Sequence, residues 1–181
     1  MWTAADSRSY HCACSNAAET PFWGLSMTTR DCEDAMNSVE LSATIGRLLS
    51  SQRLAVLASY GDDQPYTSLV AFAASADLKA IYFATSRATR KFANLTRCAR
   101  VSMLIDNRSN RQRDFHKGIA VTALGSVGEV EKSEAAELYL RKHPHLKDFM
   151  ESPSTALLEI SVERYYLVSR FQNVLELDVC K

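Results

Sequence analysis

Between Leu54 and Ala84 three β-favouring runs are joined by connections too short to hold a helix. Leu54 to Tyr60 is apolar enough for a buried strand, Gly61-Asp62-Asp63 supplies a hairpin turn, and Tyr66 to Ala74 is the returning partner. Asp77-Leu78-Lys79 then reverses the chain into Ala80 to Ala84. Such connections join antiparallel neighbours, whereas parallel strands need a crossover of a dozen or more residues. The first half of the chain is therefore an antiparallel meander, which argues for a small closed barrel rather than a doubly wound sheet.

The remaining segments extend this pattern. Asn37 and Glu40 have the spacing of a capping box, and Leu41, Ile45, Leu48 and Leu49 recur at helical spacing, predicting a first helix over about 38–50. Val101 to Ile105 is a strand. Asp106 to Lys117, with Arg108, Arg111, Arg113 and Lys117, is a long exposed loop. Ile119 to Glu131 is a long strand in which Gly125 and Gly128 mark bends or bulges. Ser133 is placed to cap a helix through about Arg141, before Pro144 and a short turn over Leu146 to Met150. Ala156, Leu158, Ile160 and Val162 alternate with polar residues, and a second run from Tyr165 to Val179 turns near Ser169-Arg170. The expected class is mainly β (α+β): about six or seven mostly antiparallel strands with a few flanking helices.

A chain of 181 residues, 46% hydrophobic, holds one domain with a proper core. That domain is expected over 36–181. Residues 1–35, rich in Ala, Ser, Thr and acidic residues, read as a flexible or loosely docked tail, with Trp2, Phe22 and Trp23 as its large apolar groups. Met27 offers an alternative start. The formal net charge is zero, so no global field recruits nucleic acid or an anionic membrane. No apolar run reaches the roughly 18 to 20 residues of a membrane span, and no secretory signal is recognisable, so a cytoplasmic protein is expected. Five cysteines without a repeated spacing do not read as a disulfide framework. Cys12-Ala-Cys14 beside His11 lacks the spacing of a zinc site, and His143-Pro-His145 reads as a solvent-exposed turn, so no metal centre is expected.

One segment carries chemistry. Ile81 to Ala84 leads through Thr85 and Ser86, residue types that cap helices, into a basic amphipathic stretch expected to be helical from about Arg87. Arg87, Arg90, Lys91 and Asn94 share one face, while Ala88, Phe92, Leu95 and Ala99 share another that can pack inward. Basic residues on an exposed helix face are ordinarily just solvated. A helix opening that combines hydroxyls, unpaired amides and several cations nevertheless has what a phosphate requires.

Thr85, then Thr89-Arg90-Lys91 after the Tyr82-Phe83 strand, followed by Arg100-Val-Ser-Met-Leu-Ile105, resembles the phosphate-binding segment of the pyridoxamine 5′-phosphate oxidase-related flavoproteins, the FMN-binding split barrels. The similarity in element order extends over about residues 37–179 and is specific at 81–105. It implies a split β-barrel and a symmetric homodimer with FMN at the interface. It also implies a phosphate held by Thr89, Arg90 and Lys91, with Thr85, Ser86 and Asn94 near the phosphate or ribityl chain. Thr67, Ser68, Leu69 and Val70 would run beside the isoalloxazine. The oxidases themselves carry a C-terminal Arg-x-His pair that this chain lacks, so the implied activity is that of an FMN-dependent oxidoreductase with an unassigned small-molecule substrate or electron donor. Three alternatives remain. One is a flavin binder or sensor without turnover. Another is a relative of the same fold holding deazaflavin, or haem through His116. The third is a nucleic-acid binder using Arg108 to Lys117, a loop that lacks a series of interleaved aromatic residues.

Overall fold

The computed structural model describes residues 38–170 and 173–179. The tail expected over 1–35, with Cys12, Cys14 and Cys32, lies outside the described residues, as do Asn37 and Cys180. The elements in order are α1 (Ser38–Ser51), β1 (Leu54–Gly61), β2 (Gln64–Ala74), β3 (Ala80–Ser86), α2 (Arg90–Arg97) and β4 (Arg100–Asp106), then α3 (Asp114–Lys117), β5 (Ile119–Val130), α4 (Lys132–Lys142), α5 (Lys147–Glu151), β6 (Thr155–Ser169) and β7 (Asn173–Asp178). A 3-10 turn at Pro144–Leu146 links α4 to α5.

The strands run β3-β2-β1-β4-β5-β6-β7, and β3 also pairs with β6, so six antiparallel strands close into a barrel and β7 is appended outside it. The 61–64 hairpin is as tight as the sequence requires: Asp62 and Asp63 both take positive φ, the backbone of a turn that follows the twist of its strands. The alternating run from Ala156 and the first part of the next run form one uninterrupted strand, β6, and the turn after Ser169 leads into β7. The first part of β6 pairs with β3 through Ala80↔Ser161 to Ser86↔Thr155, and its second part carries β7.

Inward-facing residues of every barrel strand make one core, in which Leu57, Phe72, Ile81, Phe83, Met103, Ile105 and Ile160 are inaccessible to solvent. Helix α1 adds Leu41, Ile45, Leu48 and Leu49 to it, as their spacing predicts. Tyr165 ends in this core and donates its hydroxyl to the Leu78 carbonyl at 2.8 Å. A second, smaller cluster joins Ala135, Tyr139 and Met150 of α4 and α5 to Ala73, Ala84 and Leu157 on the outer face of the sheet. Burial pushes the Tyr139 phenol up to about 12.

Two local expectations are corrected. Helix α4 begins at Lys132 with Glu131 at the N-cap position, and no side chain caps it. The His143-Pro-His145 segment is not an exposed turn throughout: His143 is 1% exposed, with Nε2 2.8 Å from the Phe72 carbonyl oxygen. The proline ends the helix, and the chain reversal turns His143 onto the sheet. Burial lowers the His143 pKa, its bond to Phe72 opposing that in part. The folded chain therefore binds this proton later than the unfolded chain does. The stability gained from the neutral ring is present above the unfolded value of about 6.5 and is lost as pH falls toward the lower folded value. Urea midpoints should thus fall between about pH 7.5 and about pH 5.5, and His143→Gln should flatten that slope. An unchanged slope in the variant would assign the pH response to other groups.

Candidate functional site

Strands β2 and β3 pair only at Phe72↔Phe83, Ala73↔Tyr82 and Ala74↔Ile81. Beyond these pairs β3 follows β6, while β2 stays with β1 as far as Gly61↔Gln64. Among the described residues no strand pairs with 64–71 of β2 on the side that β3 has left. The Phe72 amide bonds the Arg53 carbonyl at 3.4 Å, on the β1 side. Backbone alternation therefore directs the N–H and C=O groups of Thr67, Leu69 and Ala71 toward the open edge.

The barrel's split separates the four strand residues singled out above. Val70 points into the core, 5% exposed, whereas Leu69 points outward, 62% exposed, and Thr67 is exposed beside it. Ser68 pairs with Leu57, whose side chain is inside the barrel, and its buried hydroxyl has no hydrogen-bond partner. A buried hydroxyl without a partner costs free energy unless something meets it.

Helix α2 opens later than Arg87. Thr85 and Ser86 remain in β3, where Ser86 pairs with Thr155, and the Arg87 amide donates to the Ser154 carbonyl at 2.9 Å. Thr89 is the cap, accepting from the Phe92 amide at 3.3 Å. Its hydroxyl also donates to the Ser86 carbonyl at 2.8 Å and lies 3.1 Å from the Thr85 hydroxyl. These bonds gather Thr85, Ser86 and Thr89 around the first turn of α2. The amides of Arg90 and Lys91, the first two helical residues, have no acceptor among the described residues. They point along the helix axis with the positive end of its dipole.

The cations around this opening differ in their commitments. Arg87 leaves the basic face to form a two-pronged ion pair with Glu129, which raises its pKa, and lies over the Phe92 ring at 5.4 Å. Arg90 stacks over Tyr66, 5.1 Å from the ring centre, with Asp62 at 3.8 Å. Arg97 takes the same carboxylate at 2.8 Å. Lys91 is half-buried and has no ion pair among the described residues.

Asn94 is held apart from this group. It is 2% exposed on the inner side of α2, where its amide donates to the Ser59 hydroxyl at 3.3 Å. Gly61 permits that approach, since a Cβ there would lie 2.1 Å from the Asn94 Oδ1. Ala88 and Ala99, expected to pack inward, are exposed. The inner face of α2 is therefore set by Asn94 and Leu95. Tyr66 and Asp62 were not visible as site residues in the sequence, because the hairpin brings them to Arg90 from a separate segment.

An open edge on a split strand, two unmet amides, the gathered hydroxyls and an ammonium without an ion pair among the described residues suit a flavin whose phosphate lies at the start of α2. His116, by contrast, is exposed on α3.

The sequence profile described as Pyridoxamine 5′-phosphate oxidase matches residues 41–169. Among curated proteins none matches this chain. Among solved structures the fold is similar to a heme binding protein from Mycobacterium smegmatis, with a TM-score of 0.68 and 18% identity over 76% of this chain and 58% of that one. It is also similar to General Stress Protein 26 from Bacillus anthracis, with a TM-score of 0.60 and 20% identity over 76% and 98%. A FAD-binding protein from Mesorhizobium loti gives a TM-score of 0.56 and 17% identity over 69% and 91%.

Proposed function

We propose, from the premise that this chain belongs to the pyridoxamine 5′-phosphate oxidase-related split-barrel family, that it is an FMN-binding flavoprotein acting as an oxidoreductase. One observation carries the reading: the open amides of Arg90 and Lys91 and the Thr85 and Thr89 hydroxyls meet at one helix start, whose second residue is the lysine Lys91. Arg90 and Lys91 hold the phosphate, with Thr89 fixing the helix start and Thr85 and Ser86 lining the way to the ribityl chain. Thr67, Ser68, Leu69 and Val70 form the wall beside the ring, through the outward edge groups of Thr67 and Leu69, with the Ser68 side chain facing into the barrel. Val70 supports that wall from the core, and Asn94 positions α2 from beneath.

Bound flavin supplies reversible hydride and electron transfer, so the chain's contribution is binding, orientation and exclusion of water. The filled barrel leaves no interior for a ring, and exposed Leu69 lies beside the open edge. A second copy of the chain completes the groove by two-fold pairing. Residues 36–181 form the flavin domain, residues 1–35 are an extension to it, and the protein acts in the cytoplasm on a small molecule other than pyridoxamine phosphate. Among the described residues no helix is long and apolar enough to cross a membrane.

The absorption spectrum of the purified protein separates the ligands offered by the fold's relatives, since flavin, haem and deazaflavin have different bands. A flavin spectrum, with FMN bound more tightly than riboflavin, is the expected result. A haem spectrum or equal affinity for the two flavins would overturn the reading.

A further inference from the structure

A second cluster of cations lies away from the α2 opening. Lys142, at the end of α4, donates to the Leu49 carbonyl at 2.7 Å, and its ammonium sits 3.9 Å from the centre of the Phe72 ring. It thereby serves the C-terminus of α1, whose last turn has no basic residue of its own. Among the described residues, the charged groups that act on it are all of one sign. Arg53 and the Lys142 ammonium act on each other and on His143, and His145 adds to the same field. Among the described residues no carboxylate pairs with Lys142 or Arg53. Burial, with Arg53 next, pushes the Lys142 pKa down to about 8.

Beside this cation is a cavity of about 470 Å³ between α1, α4 and the β2–β3 turn. Gly46, Ala73 and Ala74 give it a floor of small residues, Leu49 and Leu138 give it apolar walls, and Lys142 lines it. Its volume is within the range of small-molecule sites. The ammonium has three donors and the Leu49 carbonyl accepts one, so donor capacity remains. A partly buried cation without a counter-ion, lining an apolar cavity, is matched by a ligand with one anionic end and an apolar body.

The geometry points to a second small-molecule site here, selective for an amphipathic monocarboxylate whose carboxylate meets Lys142 and whose apolar body fills the space over Gly46 and Ala73. The site is independent of the flavin reading.

Octanoate and 1-octanol, which share an apolar body, are the probes, titrated calorimetrically into the full chain. Octanoate should bind with one equivalent per chain and at least about tenfold more tightly than octanol. Lys142→Met keeps the apolar stem, and it should remove that preference. Gly46→Leu projects into the cavity from a helix that gains propensity by the change, and it should weaken both probes by about tenfold or more. A Cβ at Gly46 meets only the Leu78 Cδ2, at 3.9 Å, so the helix backbone accommodates it. Absence of octanoate binding, equal affinity for octanol, or binding untouched by Gly46→Leu would each overturn the proposal. The Gly46 variant decides the matter should Lys142→Met fail to fold.

Discussion

Lys91→Ala should weaken FMN by about 10- to 150-fold and leave riboflavin affinity unchanged. A charge-assisted hydrogen bond to phosphate contributes about 1.5 to 3 kcal/mol, which is that range of affinity. Lys91 is chosen over the neighbouring arginines because of their partners. Arg87 is paired with Glu129, Arg97 with Asp62, and Arg90 is stacked on Tyr66 beside the same carboxylate. Removing any of these changes the surface network as well as the anion site. Lys91 has no such tie among the described residues, so its loss reports on the ligand. Fluorescence titration with the two flavins, alongside thermal melts of the apoprotein, separates the effects. Equal weakening of both flavins would mean that the lysine acts through the fold, and no change in either would mean that it is merely solvated.

Gly125→Ala should destabilise the protein by about 2 to 4 kcal/mol, while Gly128→Ala, three residues along the same strand, should be neutral or slightly stabilising. A Cβ at Gly125 would lie 2.2 Å from the Ser161 carbonyl oxygen and 3.0 Å from the Ile160 Cγ2. The oxygen belongs to backbone that cannot yield cheaply, because Ser161 also pairs with Ala80 where the barrel closes. Gly125 stands at the register shift between β5 and β6, where partners step from Leu124↔Arg164 to Gly125↔Val162. At Gly128 a Cβ meets nothing within 4 Å, and alanine there restricts the unfolded chain. Denaturant melts compare the two directly. Equal stability of the two variants would show that the bulge can open to accept a methyl group.

The sequence was most legible where a local rule had no competitor. The period of α1, the 61–63 hairpin and the seven strands follow from apolar spacing and turn chemistry. The bulge near Gly125 was visible as a glycine inside a strand, although its partner Ser161 was not. The placing of Thr89, Arg90 and Lys91 at a helix opening follows from a local feature, and Thr89 is the N-cap of α2. Helix α2 starts later than the capping hydroxyls of Thr85 and Ser86 suggest, because strand pairing with Thr155 keeps Ser86 in β3 and leaves Thr89 as the cap. Asn94 shares the Arg90 stripe on a helical wheel, yet the missing side chain at Gly61 draws it inward. The burial of His143 rests on a contact with Phe72, which no window around Pro144 includes. Sequence periodicity places residues on faces, whereas pairing across the barrel decides which faces meet.

The barrel's seams differ in the chain length they must bring together. The β1–β2 seam begins at Gly61↔Gln64, across the tightest turn, whereas the closing seam joins Ala80 to Ser161. Loop-closure entropy makes the first seam cheap and the last one expensive, so non-local pairing is the slow part of assembling such a topology. Ser86 and the backbone leading into α2 are held by the expensive seam, through Thr155 and the Ser154 carbonyl. A nascent chain that has made every residue of the α2 opening has therefore not yet made the opening. The proposed phosphate grip would then wait for the C-terminal strand, and a truncated or stalled chain would present the motif without the helix opening that the proposal requires.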